Sequence, residues 1–259
     1  MSPGGVAIAE VIRRAWGRLI RKQWLILYPL ALAVVHTMAF FAVYAASGER
    51  ISASEFWTLD FDRWTYLREH LYTNSPSWPL LAAAVVAGLL SCALAGMIRA
   101  PFFRAVAGPG YPLGPRKWKE VGNLFLFYLV SYVATRIVPV ALPANAVLVQ
   151  LGSLFATVVA LLLVFGDYAI VYEDLGVIAA IRRSVRLLRR RWAVVVLIFL
   201  VVQLVWLGLY SLYGLYYGSG VQVFFLLPVS RLLVDALLTL FVDLVLIYLY
   251  EDLRRLGPL

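Results

Sequence analysis

Five ionisable side chains stand inside apolar runs of this 259-residue chain: Arg136, Asp167, Arg231, Asp235 and Asp243. A charge in hydrocarbon is costly and is kept where it faces protein or water, so these residues are the first candidates for chemistry. Arg231 and Asp235 are four apart and can pair along one helix face. Asp243 lies eight beyond Asp235, a drift of about 80° at 3.6 residues per turn, so the three can share one side of a helix. Arg136 falls near the end of its apolar run, where it can snorkel to the interface. Asp167, Arg231, Asp235 and Asp243 therefore form the set of intramembrane polar candidates. They would either line a polar path or ligand cavity or act as polar contacts between helices.

Catalysis has little to draw on. The two histidines are His36, inside an apolar run, and His70, in a polar loop. The chain contains no HExxH, P-loop or GxSxG pattern. His36 reads as a packed polar residue and His70 as a solvated one. The single cysteine, Cys92, excludes an internal disulfide framework and a Cys-rich metal centre. No metal site and no cofactor are expected.

These residues need a membrane to hold them in place. Mean hydropathy is +0.86 and only 14% of residues are charged, against about a quarter in soluble domains. A spanning helix takes roughly 20 apolar residues, and six stretches qualify, at 24–46, 78–98, 123–142, 147–172, 192–217 and 224–250. The last can begin later, because Pro228 suits a first helical turn. The first resembles a secretory leader with Val43 and Ala45 at its cleavage site, but its apolar run is too long and it is read as a retained span. No segment offers the basic face of a soluble domain, so nucleic acid is not an expected partner.

Orientation follows from Lys and Arg in the connections. Arg13, Arg14, Arg18, Arg21 and Lys22 precede the first span; Arg99, Arg104, Arg116, Lys117 and Lys119 fall in the second connection; six arginines fall in the fourth; Arg254 and Arg255 close the chain. That places 18 of 23 on one side. The long opposite loop holds Arg50, Arg63 and Arg68, outweighed by Glu49, Glu55, Asp60, Asp62 and Glu69. The expectation is a multi-pass protein of the cell membrane with both termini cytoplasmic. In the loop, Phe56, Trp57, Phe61, Trp64 and Leu67 suggest a short helix dipping into the outer interface.

The six arginines are also patterned. Ile178, Ile181, Val185, Leu188 and Trp192 recur at three- and four-residue steps, while Arg182, Arg183, Arg186, Arg189 and Arg190 fill the other face. Such an amphipathic helix suits a membrane surface, with the five arginines as lipid-headgroup contacts and anionic lipids as partners. The alternative is a helix packed on the ends of neighbouring spans, its arginines solvated or paired with acids.

The pattern repeats. EVIRRAWGRLIRKQW (10–24) resembles AAIRRSVRLLRRRW (179–192), and each leads into a span. Phe165-Gly-Asp167 precedes Tyr172-Glu-Asp-Leu175 much as Phe241-Val-Asp243 precedes Tyr250-Glu-Asp-Leu253. RKWKEVGNLF (116–125) is a looser middle copy. The fold expected is all-α, a single membrane domain over residues 1–259 of six transmembrane helices in three pseudo-repeated hairpins, with amphipathic cytoplasmic helices.

The stretch YEDLGVIAAIRRSVRLLRRRW (172–192), in which a span ends in acids and an amphipathic segment with an Arg183-Ser184 pair leads to the next span, resembles six-span membrane proteins related to the membrane domain of some glycerophosphodiester phosphodiesterases and to uncharacterised relatives. In that group the activity belongs to a separate soluble barrel, so the resemblance implies architecture and no activity.

Three readings follow. The first is a non-catalytic, lipid-interacting or scaffold protein, with a membrane-protein partner or a second copy of the chain as company. The second is a transporter or permease subunit with a polar intramembrane path. The third, least supplied with residues, is a membrane enzyme. If the arginines grip headgroups, replacing Arg182, Arg183, Arg186, Arg189 and Arg190 by glutamine removes most of the selectivity of the purified protein for anionic over zwitterionic lipid and leaves the fold intact. If they chiefly pair with Glu173, Asp174, Glu251 or Asp252, thermal stability falls and lipid selectivity stays unchanged.

Overall fold

The computed structural model describes residues 8–46, 78–107, 118–142, 146–218 and 226–255. The expected interfacial helix of the long loop, with His70, lies outside them. Among the described residues every regular element is helical: α1 Ile8–Arg21, a 3-10 turn Gln23–Ile26, α2 Leu27–Ala46, α3 Trp78–Ala107, α4 Trp118–Tyr132, a π turn Val133–Ile137, α5 Val138–Ala141, α6 Ala146–Leu163, α7 Gly166–Glu173, α8 Val177–Arg190, α9 Trp192–Gly218 and α10 Leu226–Arg255. Among the described residues five stretches are long and apolar enough to cross a membrane: Gln23–Val43, Trp78–Ala107, Val147–Glu173, Trp192–Leu209 and Leu232–Arg255. The chain is a multi-pass membrane protein, all-helical among the described residues. Pro228 sits in the first turn of α10, where its missing N–H has no intrahelical acceptor to lose.

Two expected spans are interrupted. In the third, Val138 N–H reaches back five residues to the Val133 carbonyl; Pro139 has no N–H to give to the Thr135 carbonyl, so the α-helical ladder cannot be kept there. The fourth breaks at Val164 and Phe165 between α6 and α7. Ser184 of α8 holds the break: its Oγ accepts from Phe165 N–H at 3.0 Å and donates to the Leu162 carbonyl at 2.7 Å. Gly166 opens α7 because the Phe127 ring lies against it; a Cβ there would be 2.3 Å from Phe127 Cε2. Asp174, at φ 52°, ends α7, and Asp tolerates the left-handed region.

The helices gather unevenly. α2 packs on α3, α3 on α4, α10 on both α1 and α2, and α8 on α6 and α7; α9 meets the rest mainly through α8. The tightest packing lies at the basic end, where Phe102, Phe103, Phe165, Tyr168, Tyr172 and Tyr250 interlock; Phe103 meets Tyr168 edge-on at 5.2 Å and Tyr172 stacks on Tyr250 at 6.1 Å.

Both basic helices lie against this end, and of the apolar stripe of α8 Leu188 is buried and Ile181 and Val185 are half-buried. On α8 the buried residues are Ala180, Ser184, Leu187 and Leu188, while Ile178 is 68% and Trp192 63% exposed. Ala180 and Ser184 face inward where α8 sits close over the α6–α7 break, with Leu187 and Leu188 packed beside them. On α1 the equivalent positions, Val11 and Ala15, are buried, and Ile12, Trp16 and Ile20 form an exposed stripe. Glu10 and Arg13 pair on the open face of α1 at 2.9 Å, and that hydrogen bond holds the carboxyl below its ordinary range.

Ser184→Ala strands the Phe165 N–H and the Leu162 carbonyl. A loss of about 1–3 kcal/mol is expected for the unsatisfied groups, read as a lower thermal midpoint in detergent, whereas Ser184→Thr, which keeps the hydroxyl, loses less.

Candidate functional site

Arg99 is the centre of the site. The apolar run of α3 continues past it to Ala107, so Arg99 lies within a helix and not in a connection, as does Arg104, which pairs with Glu120 at the start of α4. Arg99 Nη1 and Nη2 donate to the two carboxylate oxygens of Asp243 at 2.7 and 3.1 Å. Asp167 lies on the same guanidinium at 3.9 Å. Tyr128 Oη donates to Asp167 Oδ2 at 3.1 Å, and the Tyr168 N–H reaches Asp167 Oδ1 at 3.0 Å. Tyr168 Oη is 3.5 Å from Asp243 Oδ1, and the guanidinium stands 5.4 Å from the Phe103 ring centroid. Both carboxylates are only 6% exposed.

Each partner is positioned by a feature already described. The α6–α7 break puts Asp167 in the first turn of α7, where an acid is favoured by the free backbone N–H groups. Asp243 comes from the middle of α10, and Tyr128 from the face of α4 that meets α3. A planar fork opposite a carboxylate makes two parallel hydrogen bonds, which a lysine cannot.

Toward the opposite end, α3 presents one face of small residues: Ala84, Ala87, Gly88, Ser91, Cys92 and Ala95, ending on Arg99. Their spacing is that of a single helical stripe, and the 15 steps from Ala84 to Arg99 at about 1.5 Å each make it about 22 Å long. Gly88 is needed because the Tyr132 ring lies over it; a Cβ would be 2.6 Å from Tyr132 Oη. Side chains this small leave a slot of ≈ 650 Å³ between α2, α3, α4, the π turn and α10, with Trp206 of α9 at its side. Polar groups reach it from each wall: His36 and Thr37 from α2, Ser131 and Tyr132 from α4, Thr135 and Arg136 from the π turn, Asp235 and Thr239 from α10. Arg99 and Tyr128 form its floor, while Asp167 and Asp243 lie behind them.

The sequence candidates thus separate. Asp167 and Asp243 share one half-buried cation, Arg99; Asp235 faces the slot; the Arg231 side chain lies outside the described residues, and so does any pairing with Asp235. Of the headgroup candidates, Arg183 is turned inward to Glu173 at 3.1 Å, Arg182, Arg186 and Arg189 are exposed, and Arg190 is half-buried. Glu173 also accepts from Tyr250 Oη at 2.6 Å. The counterpart on α1 is Arg14, paired with Asp252. Arg99, Tyr128 and Tyr168 are the residues the sequence reading missed. The signal was there: Arg99 has apolar neighbours on both sides and follows the small-residue stripe. Among the described residues no group of three His, Cys, Asp or Glu could hold a metal. Compared with family models, curated proteins and solved structures, the chain matches none.

Arg99→Leu leaves two buried carboxylates without a cation. A loss of about 3–5 kcal/mol is expected. The triple variant Arg99→Leu, Asp167→Asn, Asp243→Asn recovers much of it, as thermal unfolding in one detergent would show; a triple variant no more stable than the single one contradicts this account.

Proposed function

We propose that the protein is a membrane carrier, or the membrane subunit of one, that takes a small ligand into the slot beside α3. The observation that carries this reading is the combination of a slot of ≈ 650 Å³ with polar groups on every wall. Ligand pockets commonly enclose about 300–1,000 Å³ and place a few polar groups on mostly apolar walls. Arg136 lines this slot without an ion pair among the described residues, and water or a polar ligand offsets the cost of such a charge in hydrocarbon.

A six-span arrangement of three hairpins is the matching topology, with α4, the π turn and α5 together making the third span and both termini cytoplasmic. The repeat is supported by the second arginine of each Ile-Arg-Arg, Arg14 and Arg183, which pairs with an acid of a Tyr-Glu-Asp end. It is supported also by Asp167 and Asp243, which meet at one cation. The slot would then open away from the cytoplasm, with Arg99 as its inner floor.

A second reading, contact with anionic headgroups, is favoured by the exposed Arg182, Arg186 and Arg189 and by the exposed apolar residues Ile178 and Trp192 beside them. The lipid-selectivity measurement on the glutamine variant tests it. Both readings are compatible with a non-enzymatic role. The kinship to six-span phosphodiesterase-associated membrane domains stays a proposal on architecture alone.

Cys92, the chain's single cysteine, lines the slot and is buried at 4% exposure, so a reagent reaches it only by entering the slot. In sealed vesicles with the cytoplasmic face inside, an impermeant anionic methanethiosulfonate added outside should modify Cys92, at a rate within about tenfold of that with N-ethylmaleimide. Modification by N-ethylmaleimide alone would mean that water does not enter the slot, and the carrier reading would fall.

A further inference from the structure

Arg136 occupies an unusual place in the slot. It belongs to the π turn Val133–Ile137, where Pro139 withdraws the N–H that an α-helix would supply to Thr135. Such turns are rare and gather at functional positions. Four and five residues upstream and on the same wall are Tyr132 and Ser131, and Thr135 Oγ1 is tied back to the Ser131 carbonyl at 2.8 Å. That bond fixes the hydroxyl of the residue beside Arg136.

The charges around the slot are not alike. Arg99 is committed to Asp243 and Asp167. Asp235 is engaged in an interaction of its own. Arg136 makes no ion pair among the described residues, yet it lines the slot and its side chain is exposed. Among the described residues Arg136 is thus the guanidinium of the slot without an ion pair, with Thr135 beside it in the chain and Ser131 on the same wall. Its other walls are largely apolar, with Leu32, Val43, Ala84, Ala87, Leu232 and Ala236. A guanidinium at the end of an apolar slot is complementary to a molecule with an anionic oxygen group and an apolar body.

We propose that the slot ligand is an organic anion with an apolar body, a carboxylate or phosphate ester, whose charged end is held by Arg136. This inference rests on the carrier reading and names its substrate class. Asp167 and Asp243 do not oppose it, because Arg99 stands between them and the slot, and the Asp235 carboxylate, which does line the slot, is engaged in an interaction of its own. An anionic amphiphile can reach the site as a free molecule or as a membrane lipid, and the chemistry at Arg136 is the same for both.

The test uses the full-length protein in nanodiscs of zwitterionic lipid, with protection of Cys92 against N-ethylmaleimide as the readout. Laurate, dodecyltrimethylammonium and dodecanol share one tail and differ in charge. Laurate should protect best, and Arg136→Gln should weaken its protection about tenfold or more, leave dodecanol unchanged, and be largely rescued by Arg136→Lys. Nanodiscs containing phosphatidylglycerol form the second arm: protection by that lipid, lost in Arg136→Gln and absent for laurate, assigns the anion to the membrane itself. Equal protection of wild type and Arg136→Gln by every anion, or better protection by the ammonium, would overturn the inference while leaving the slot as a ligand site. A slot-filling Ser91→Leu variant separates the two ideas: if laurate protects Cys92 as well there as in the wild type, the slot is not where it binds, and the carrier reading fails with it.

Discussion

One guanidinium facing two carboxylates, sealed among helices, is the constraint on which this structure turns. Arg99, Asp243 and Asp167 come from α3, α10 and α7, and none of the three is tolerable in hydrocarbon without the others. The three helices must therefore meet at one level and in one rotation. A shift of one residue along any of them would turn its charge by about 100° away from the site. Tyr128, Tyr168 and the backbone of α7 complete the hydrogen bonding. The rings of Phe102, Phe103, Phe165 and Tyr250 are buried on the same side of the bundle.

α3 divides the protein into two kinds of interior. Below Arg99 its residues are bulky, and Phe102 and Phe103 are buried among other aromatics. Above Arg99 its inward face is built of Ala, Gly, Ser and Cys, and the same helix spacing leaves a slot. Both interiors lie along one continuous helix, since the backbone of α3 runs unbroken from Trp78 to Ala107. One end of the bundle is consequently a packed block that fixes geometry, and the other has room for a ligand.

The basic helices serve the block. Arg14 and Arg183 reach acids at the ends of α10 and α7. Arg18 and Lys22 donate to the last carbonyls of α3, at Ala105 and Val106, groups that a helix end leaves without internal partners. On α8 only part of the positive face remains open, because Ser184 and the small residues beside it must sit close over the broken span. A run of arginines that reads as a single charged face therefore does two jobs: some side chains fasten helices together and the others point outward.

By itself, the sequence determined the class of the protein. Hydropathy and the length of apolar runs made it helical and membrane-spanning, because each backbone group in lipid must find its partner within its own helix. It marked Asp167, Asp235 and Asp243 as costly residues that needed partners, and paired Asp167 with Asp243 through their matching positions before the Tyr-Glu-Asp ends. The tertiary structure alone decided what those partners are. Arg99 reads as a connecting charge in one dimension because its neighbours in sequence say nothing of the acids 68 and 144 positions away. The face that α8 buries followed from the α6–α7 break, which depends on Ser184 and on the ring of Phe127 against Gly166. Amphipathic spacing ranks residues by polarity, whereas a close approach selects them by size. The slot was hidden for the same reason: a stripe of Ala, Gly, Ser and Cys marks close packing in one arrangement and empty space in another, and only the distances to α2, α4 and α10 choose between them.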